Sequence, residues 1–234
     1  MSKKHTESKA EQRIETFEEA LSSSEQFLEK NQKPILYGLL ALILIVGAYL
    51  AYRYLYKVPR NEKAQAAIFK GERYFQLGED SLALFGNNND YIGFEAIIHD
   101  YKGTKTADLA CAYAGICYSR MGQNEKALSY LNRFKGGDFL ITPSITGAIG
   151  DVYMNMNRTD DAISFFLKAA KKANNQMLSP IYYKKAGLAY LTLKKYDEAI
   201  DVFTKIKDKY IDTPEAQEAD KFIKQAELQK AYAQ

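Results

Sequence analysis

The chain has 234 residues, 47% of them hydrophobic, with 32 Lys+Arg against 29 Asp+Glu. That apolar content excludes a chain disordered throughout, and two cysteines exclude a disulfide framework. A formal charge of +3 is too small to argue for nucleic acid as a partner.

Residues 1–33 form a polar tail. It carries six basic residues (Lys3, Lys4, Lys9, Arg13, Lys30, Lys33) and seven Glu. Ile14, Phe17, Leu21 and Leu28 recur at helical spacing and predict a short amphipathic helix. Two readings fit it: a docking helix for a partner or the membrane surface, or a marginal helix in a polar tail.

Residues 34–56 are unlike the rest. No residue from Pro34 to Tyr52 is charged, and Lys33 and Arg53 bracket the run. Nineteen residues at about 1.5 Å each span about 29 Å, close to the hydrocarbon thickness of a bilayer. A buried soluble helix would carry a polar stripe, and this one has none. The run is too long for the core of a cleavable signal, and no small-x-small site follows it. Tyr37 stands near one end; Tyr49, Tyr52, Tyr54 and Tyr56 cluster at the other, beside Arg53. Amphipathic rings prefer the headgroup level. The expectation is one uncleaved transmembrane anchor over 34–56, with 57–234 as the folded domain.

That domain repeats internally. Gly115, Gly150 and Gly187 are each followed at three by Tyr118, Tyr153 and Tyr190, and at twelve by Ala127, Ala162 and Ala199. Gly122, Asn157 and Lys194 stand at seven, in predicted turns; Phe166 and Phe203 stand at sixteen. Gly71 begins the same pattern with Tyr74 and Gly78, then breaks. Its second half resumes at Phe94–Gly103, after an insertion from Glu79 to roughly Asp90. Small residues at the origin and at plus twelve let two helices cross closely. The residues at plus three and plus sixteen are expected to fill the space between successive hairpins. Pro143, Pro180 and Pro214 are expected just before first helices. Such hairpins must stack into a solenoid to bury their apolar faces.

The spacing Gly-x2-Tyr-x3-Gly-x4-Ala resembles the tetratricopeptide repeat, and Asp197-Glu198-Ala199-Ile200-Asp201-Val202-Phe203 is similar to its second helix. The first repeat departs, with Phe94 where the small residue belongs. The family's first-helix Trp is absent, with Cys111 and Thr146 in its place. The resemblance covers residues 61–213, and residues 214–230 read as a polar capping helix. It implies an all-α fold: one N-terminal transmembrane helix, then an α-solenoid of about four tetratricopeptide-like hairpins plus the cap. In that family the inner face is built by first helices. The positions carried over are Glu72 and Phe75, Ile116 and Arg120, Gly147, Asp151 and Met154, and Lys184 and Leu188. Phe75, Ile116, Met154 and Leu188 would hold apolar segments, with Arg120 and Lys184 reading carboxylates. The competing reading of each apolar member is ordinary packing between repeats.

A narrower resemblance covers almost the whole chain. The tail, the anchor and the repeats behind it look like the YfgM-type ancillary subunit of the bacterial Sec translocon. Tyr101–Ala110 and Gly147–Tyr153 resemble the Bacteroidota version. The resemblance implies the bacterial inner membrane, with the N-terminus cytoplasmic and the repeats periplasmic. It implies the SecY, SecE and SecG channel proteins and a PpiD-type membrane-anchored chaperone as partners, in the handling of secreted or outer-membrane proteins. The charges point the other way. Lys30 and Lys33 precede the anchor, whereas Arg53, Lys57, Arg60, Lys63, Lys70 and Arg73 follow it. Long domains translocate largely regardless of charge, so the periplasmic placement is kept. The alternative function is a structural interaction protein of another cell-envelope complex.

No catalytic constellation is expected. Cys111 and Cys117 are six apart, so on a helix they point about 120° from each other. His5 and His99 have no ligand cluster at metal spacing. Asp160-Asp161 and Asp197-Glu198 suit helix starts. The reading is a non-enzyme without cofactor, small-molecule substrate or nucleic acid.

Overall fold

A computed structural model describes residues 30–87 and 89–233. The expected helix of Ile14, Phe17, Leu21 and Leu28 lies outside the described residues. Eleven α-helices and one π-helical stretch occur among the described residues, and no strand. The chain divides into two compact units at Pro59–Arg60.

In the first unit, α1 runs over Gln32–Ala51 and buries none of its residues. The helical run that contains it is long and apolar enough to cross a membrane, with a mean hydropathy of 2.3 and 0% of that window buried. A soluble core helix would be buried, so full exposure of Leu39–Val46 fits a lipid environment. A π-helical stretch follows at Tyr52–Lys57, where the Val58 N–H donates to the Arg53 carbonyl. Pro59 explains the slip. It has no N–H and its ring crowds the carbonyl four residues back, so the register widens just before it. The Tyr52 and Tyr56 rings stack there at 5.5 Å.

The second unit is built of hairpins. First helices are α2 (Val58–Gln76), α5 (Lys105–Arg120), α7 (Ile141–Asn155) and α9 (Ser179–Thr192). Second helices are α4 (Phe94–Asp100), α6 (Asn124–Leu131), α8 (Thr159–Ala173) and α10 (Tyr196–Lys209). A short α3 (Asp80–Phe85) fills part of the insertion, and α11 (Pro214–Tyr232) closes the unit. From α4 onward each helix packs on the next in chain order, and α5 also meets α7 as α9 meets α11. Two core clusters result, the first running from Ile68 to Val152 and the second from Ala162 to Ala226.

The four positions at plus seven all adopt positive φ: Gly78 (75°), Gly122 (75°), Asn157 (58°) and Lys194 (58°). Each ends a first helix, where a left-handed residue turns the chain into the second. Thr104 and Thr213 cap α5 and α11 by accepting from the Ala107 and Ala216 N–H groups. Pro143, Pro180 and Pro214 lie inside first turns rather than before them. The first amides of a helix have no intrahelical partner, so proline is tolerated there too.

The crossing differs from expectation in one respect. The residue at plus sixteen fills its own hairpin as well as the gap to the next, where Phe203 stacks on Phe222. A Cβ on Gly115 would lie 2.5 Å from Leu131 Cγ. On Gly150 it would lie 2.6 Å from the Phe166 ring, and on Gly187 2.6 Å from the Phe203 ring. The glycine is the socket and the large residue is the plug. In the split repeat the plug comes from elsewhere: Gly71 faces Tyr91 and Phe94. Phe94 is fully buried and stacks on Tyr113 at 5.3 Å, so it uses the room an alanine leaves in other repeats. The insertion is itself folded. Tyr91 Oη donates to the Ala83 carbonyl at 2.8 Å, and Asn87 Oδ1 accepts from the amides of Asn89, Asp90 and Tyr91.

Candidate protein-binding face

The first helices lie side by side, and polar side chains tie them together. Tyr113 Oη on α5 donates to Glu72 on α2 at 3.3 Å, and Phe75 meets the Tyr113 ring edge-on at 4.8 Å. Arg120 lies 4.3 Å over the Phe75 ring, donates to the Phe75 carbonyl and pairs with Asp80 at 3.3 Å. Asn155 on α7 donates to Ser119 on α5. Lys185 on α9 donates to both carboxylate oxygens of Asp151 on α7 at 2.7 Å. Lys184 pairs with Glu218 on α11 and lies 5.5 Å from the Phe222 ring centroid.

The residues singled out from sequence therefore fall into two sets. Glu72, Arg120, Asp151 and Lys184 are each engaged by a neighbouring element. The charges of Arg120, Asp151 and Lys184 are compensated within the chain, whereas Glu72 accepts from a neutral phenol. Among the apolar ones, Phe75, Ile116 and Met154 are half-buried and Leu188 is exposed. Gly147 is not a lining position. It is buried, and a Cβ there would lie 2.1 Å from the Tyr182 ring on the next first helix.

Sequence reasoning missed the side chains that join repeats. Glu95 on α4 accepts from Tyr118 and from Tyr130, the latter at 2.8 Å. Burial, and next the Glu95 carboxylate, push the Tyr130 hydroxyl up to about 12. Tyr113 is likewise pushed up to about 12, by burial first and then by Glu72. Both phenols are locked as donors at physiological pH. Only Tyr118 among these had a periodic signal, as the tyrosine at plus three.

Among the described residues no group of three or more His, Cys, Asp or Glu could hold a metal ion. Cys111 and Cys117 are free, buried thiols, and burial raises both above the ordinary thiol value.

The ties between first helices are half-exposed, which limits their worth. The Lys185 and Asp151 side chains are 38% and 47% exposed. Such pairs contribute about 0–1 kcal/mol. Asp151→Ala is therefore expected to lower the melting temperature by no more than about 4 °C, at 2–4 °C per kcal/mol for a chain of this size. Calorimetry checks it, and a larger fall would mean that this pair holds α7 to α9.

Tetratricopeptide-repeat family models match residues 113–136, 147–174 and 179–207. A TPR repeat-containing protein of Methanocaldococcus jannaschii is 28% identical over 92 residues, 39% of this chain. The chain spans 16% of the length of that curated relative. Among solved structures, a crystal structure of nearly identical TPR-like repeats from Podosopora anserina, described as a kinesin light chain, aligns with a TM-score of 0.52 at 12% identity. That alignment covers 74% of this chain and 97% of the other, and it shows the all-helical solenoid fold. Three segments between residues 113 and 207 thus match tetratricopeptide repeats, which are scaffolds for protein–protein interaction.

Proposed function

We propose that this chain is a membrane-anchored protein-binding scaffold and an accessory subunit of the SecYEG translocon. In this reading it sits in the bacterial inner membrane by one span, N-terminus in the cytoplasm and repeats in the periplasm. Beside a PpiD-type chaperone it helps secreted or outer-membrane proteins leave the channel. The observation that carries the reading is an unburied apolar span followed directly by a tetratricopeptide solenoid. An anchor fixes a binding scaffold at the membrane, and no catalytic role is needed for the work proposed. The half-buried Phe75, Ile116 and Met154 and the exposed Leu188 supply apolar contact for client segments.

A pull-down in mild detergent through a C-terminal tag tests it. SecY-type channel proteins should co-purify; their absence would sink the translocon role and favour another envelope complex. Protease added to intact spheroplasts tests orientation independently. It should digest residues 57–234, and survival of that region would place the repeats in the cytoplasm.

A further inference from the structure

We propose that one edge of the repeat unit, formed by the loops between hairpins, rests on the bilayer surface through Phe139, Met177 and Ile211. The proposal depends on the reading of α1 as a membrane anchor.

Each second helix returns to the edge at which the next first helix begins. The loops α6–α7, α8–α9 and α10–α11 therefore share one edge. Gln176 in the second of these loops donates to the Lys209 carbonyl at the end of α10, at 3.5 Å. Each loop exposes a large apolar side chain: Phe139 is 70% exposed, Met177 67% and Ile211 72%. They are 38 and 34 residues apart (177 − 139 and 211 − 177), one for each repeat. Single exposed apolar residues are ordinary on a soluble surface. The same place in three successive loops is a pattern. On the opposite edge, the turns of the first two repeats expose Leu77 and Met121, and those of the third and fourth present Asn157-Arg158 and Lys194-Lys195.

The chain enters the repeat unit at this same loop edge. Arg60 donates to the Asp100 carbonyl at the end of α4 at 2.7 Å, and Thr106 near the start of α5 donates to Asn61 at 3.4 Å. The first residues of the repeat unit thus lie at the edge that carries the apolar tips.

The flanking charge suits a lipid headgroup. Lys135, Lys171, Lys172 and Lys209 stand beside the three loops, against the exposed Asp208 and Asp212, while Lys207 is paired with Asp220. Asp138 is occupied by the amides of Leu140 and Ile141, at 2.7 and 2.9 Å. Apolar tips with adjacent lysines are the pattern of interfacial binding. Separate tips, one for each repeat, fit a fluid surface that conforms to them better than a protein pocket.

The test uses the full chain reconstituted in vesicles of phosphatidylcholine and phosphatidylglycerol containing nitroxide-headgroup lipid. Phe139→Cys, Met177→Cys and Ile211→Cys each carry a fluorescent reporter. Glu125→Cys and Glu198→Cys mark the opposite edge. Cys111 and Cys117 are buried and stay unlabelled in the folded chain. Quenching should be several-fold stronger at the three loop sites. Flotation with the vesicles reports the anchor separately. A chain that fails to float overturns the anchor reading. A chain that floats but quenches equally at both edges overturns the edge proposal alone. Loop quenching that appears only after channel proteins are added also overturns it, in favour of a protein partner. A reporter at Lys172→Cys should lose its quenching when Phe139→Ser, Met177→Ser and Ile211→Ser are combined with it. Those side chains are exposed, so folding survives, and unchanged quenching would refute their role.

Discussion

Gly93→Ala is expected to lower the stability of the repeat unit by about 3 kcal/mol or more, far beyond an ordinary glycine-to-alanine change. Gly93 closes the insertion. Its φ is 87° with ψ 155°, and Gly86 opposite has φ 79° with ψ −172°. Both lie in a region that only glycine occupies readily, at a cost of about 1–3 kcal/mol for any other residue. Space adds to the strain. A Cβ on Gly93 would lie 2.4 Å from the Leu84 carbonyl oxygen and 2.7 Å from the Gly86 nitrogen. These are backbone atoms, which cannot swing aside as a side chain could. The loop neck would have to open. The buried residues it holds in place, Leu84, Tyr91 and Phe94, would then lose their packing against α2 and α5. At about 2–4 °C per kcal/mol the melting temperature should fall by about 6–12 °C. Gly122→Ala is the control. Its φ is 75°, but no atom lies within 4 Å of the added Cβ, so only left-handed strain of about 1–2 kcal/mol remains. Hydrogen exchange should show lost protection confined to residues 80–101. Equal melting of the two variants would mean that the neck is not closed.

That neck also marks what sequence could not supply. The span was legible because nineteen uncharged residues need no context. The turns were legible because position seven demands a left-handed residue, and Gly78, Gly122 and Asn157 advertise it. Even Lys194 follows from register alone. The insertion carried no such frame. It looked like a gap in the first repeat, yet it contains α3 and supplies Tyr91 as the plug for Gly71. The ties between first helices were hidden for another reason. Glu72 with Tyr113, Arg120 with the Phe75 carbonyl and Asp151 with Lys185 join residues 34 to 45 apart, and the partners differ at each junction. Periodicity reveals what every repeat shares, and these contacts are what each junction does differently. Arg120 and Lys184, expected from sequence to read carboxylates, are met by Asp80 and Glu218 on elements that lie outside their own repeats.

Phe203→Ala is expected to cost about 3–5 kcal/mol, the usual range for a fully buried phenylalanine. Phe203 is completely buried, plugs the Gly187 socket and stacks on Phe222 of α11 at 5.0 Å. It thereby joins α9, α10 and the closing helix. In a solenoid each repeat contacts only its neighbours, so the loss should fall on the C-terminal end. Exchange protection should drop in α10 and α11 while α5 and α6 keep theirs. A second substitution makes the socket itself testable. Gly187→Ala alone should be destabilising by about 1–3 kcal/mol, because the new Cβ would sit 2.6–3.0 Å from three ring carbons. With Phe203→Ala already present, that ring is gone. Gly187→Ala should then be neutral or stabilising, since alanine is favoured over glycine in a helix by about 1 kcal/mol. The sign of the glycine effect therefore depends on the phenylalanine. Costs that simply add, within about 0.5 kcal/mol, would show that socket and plug do not meet.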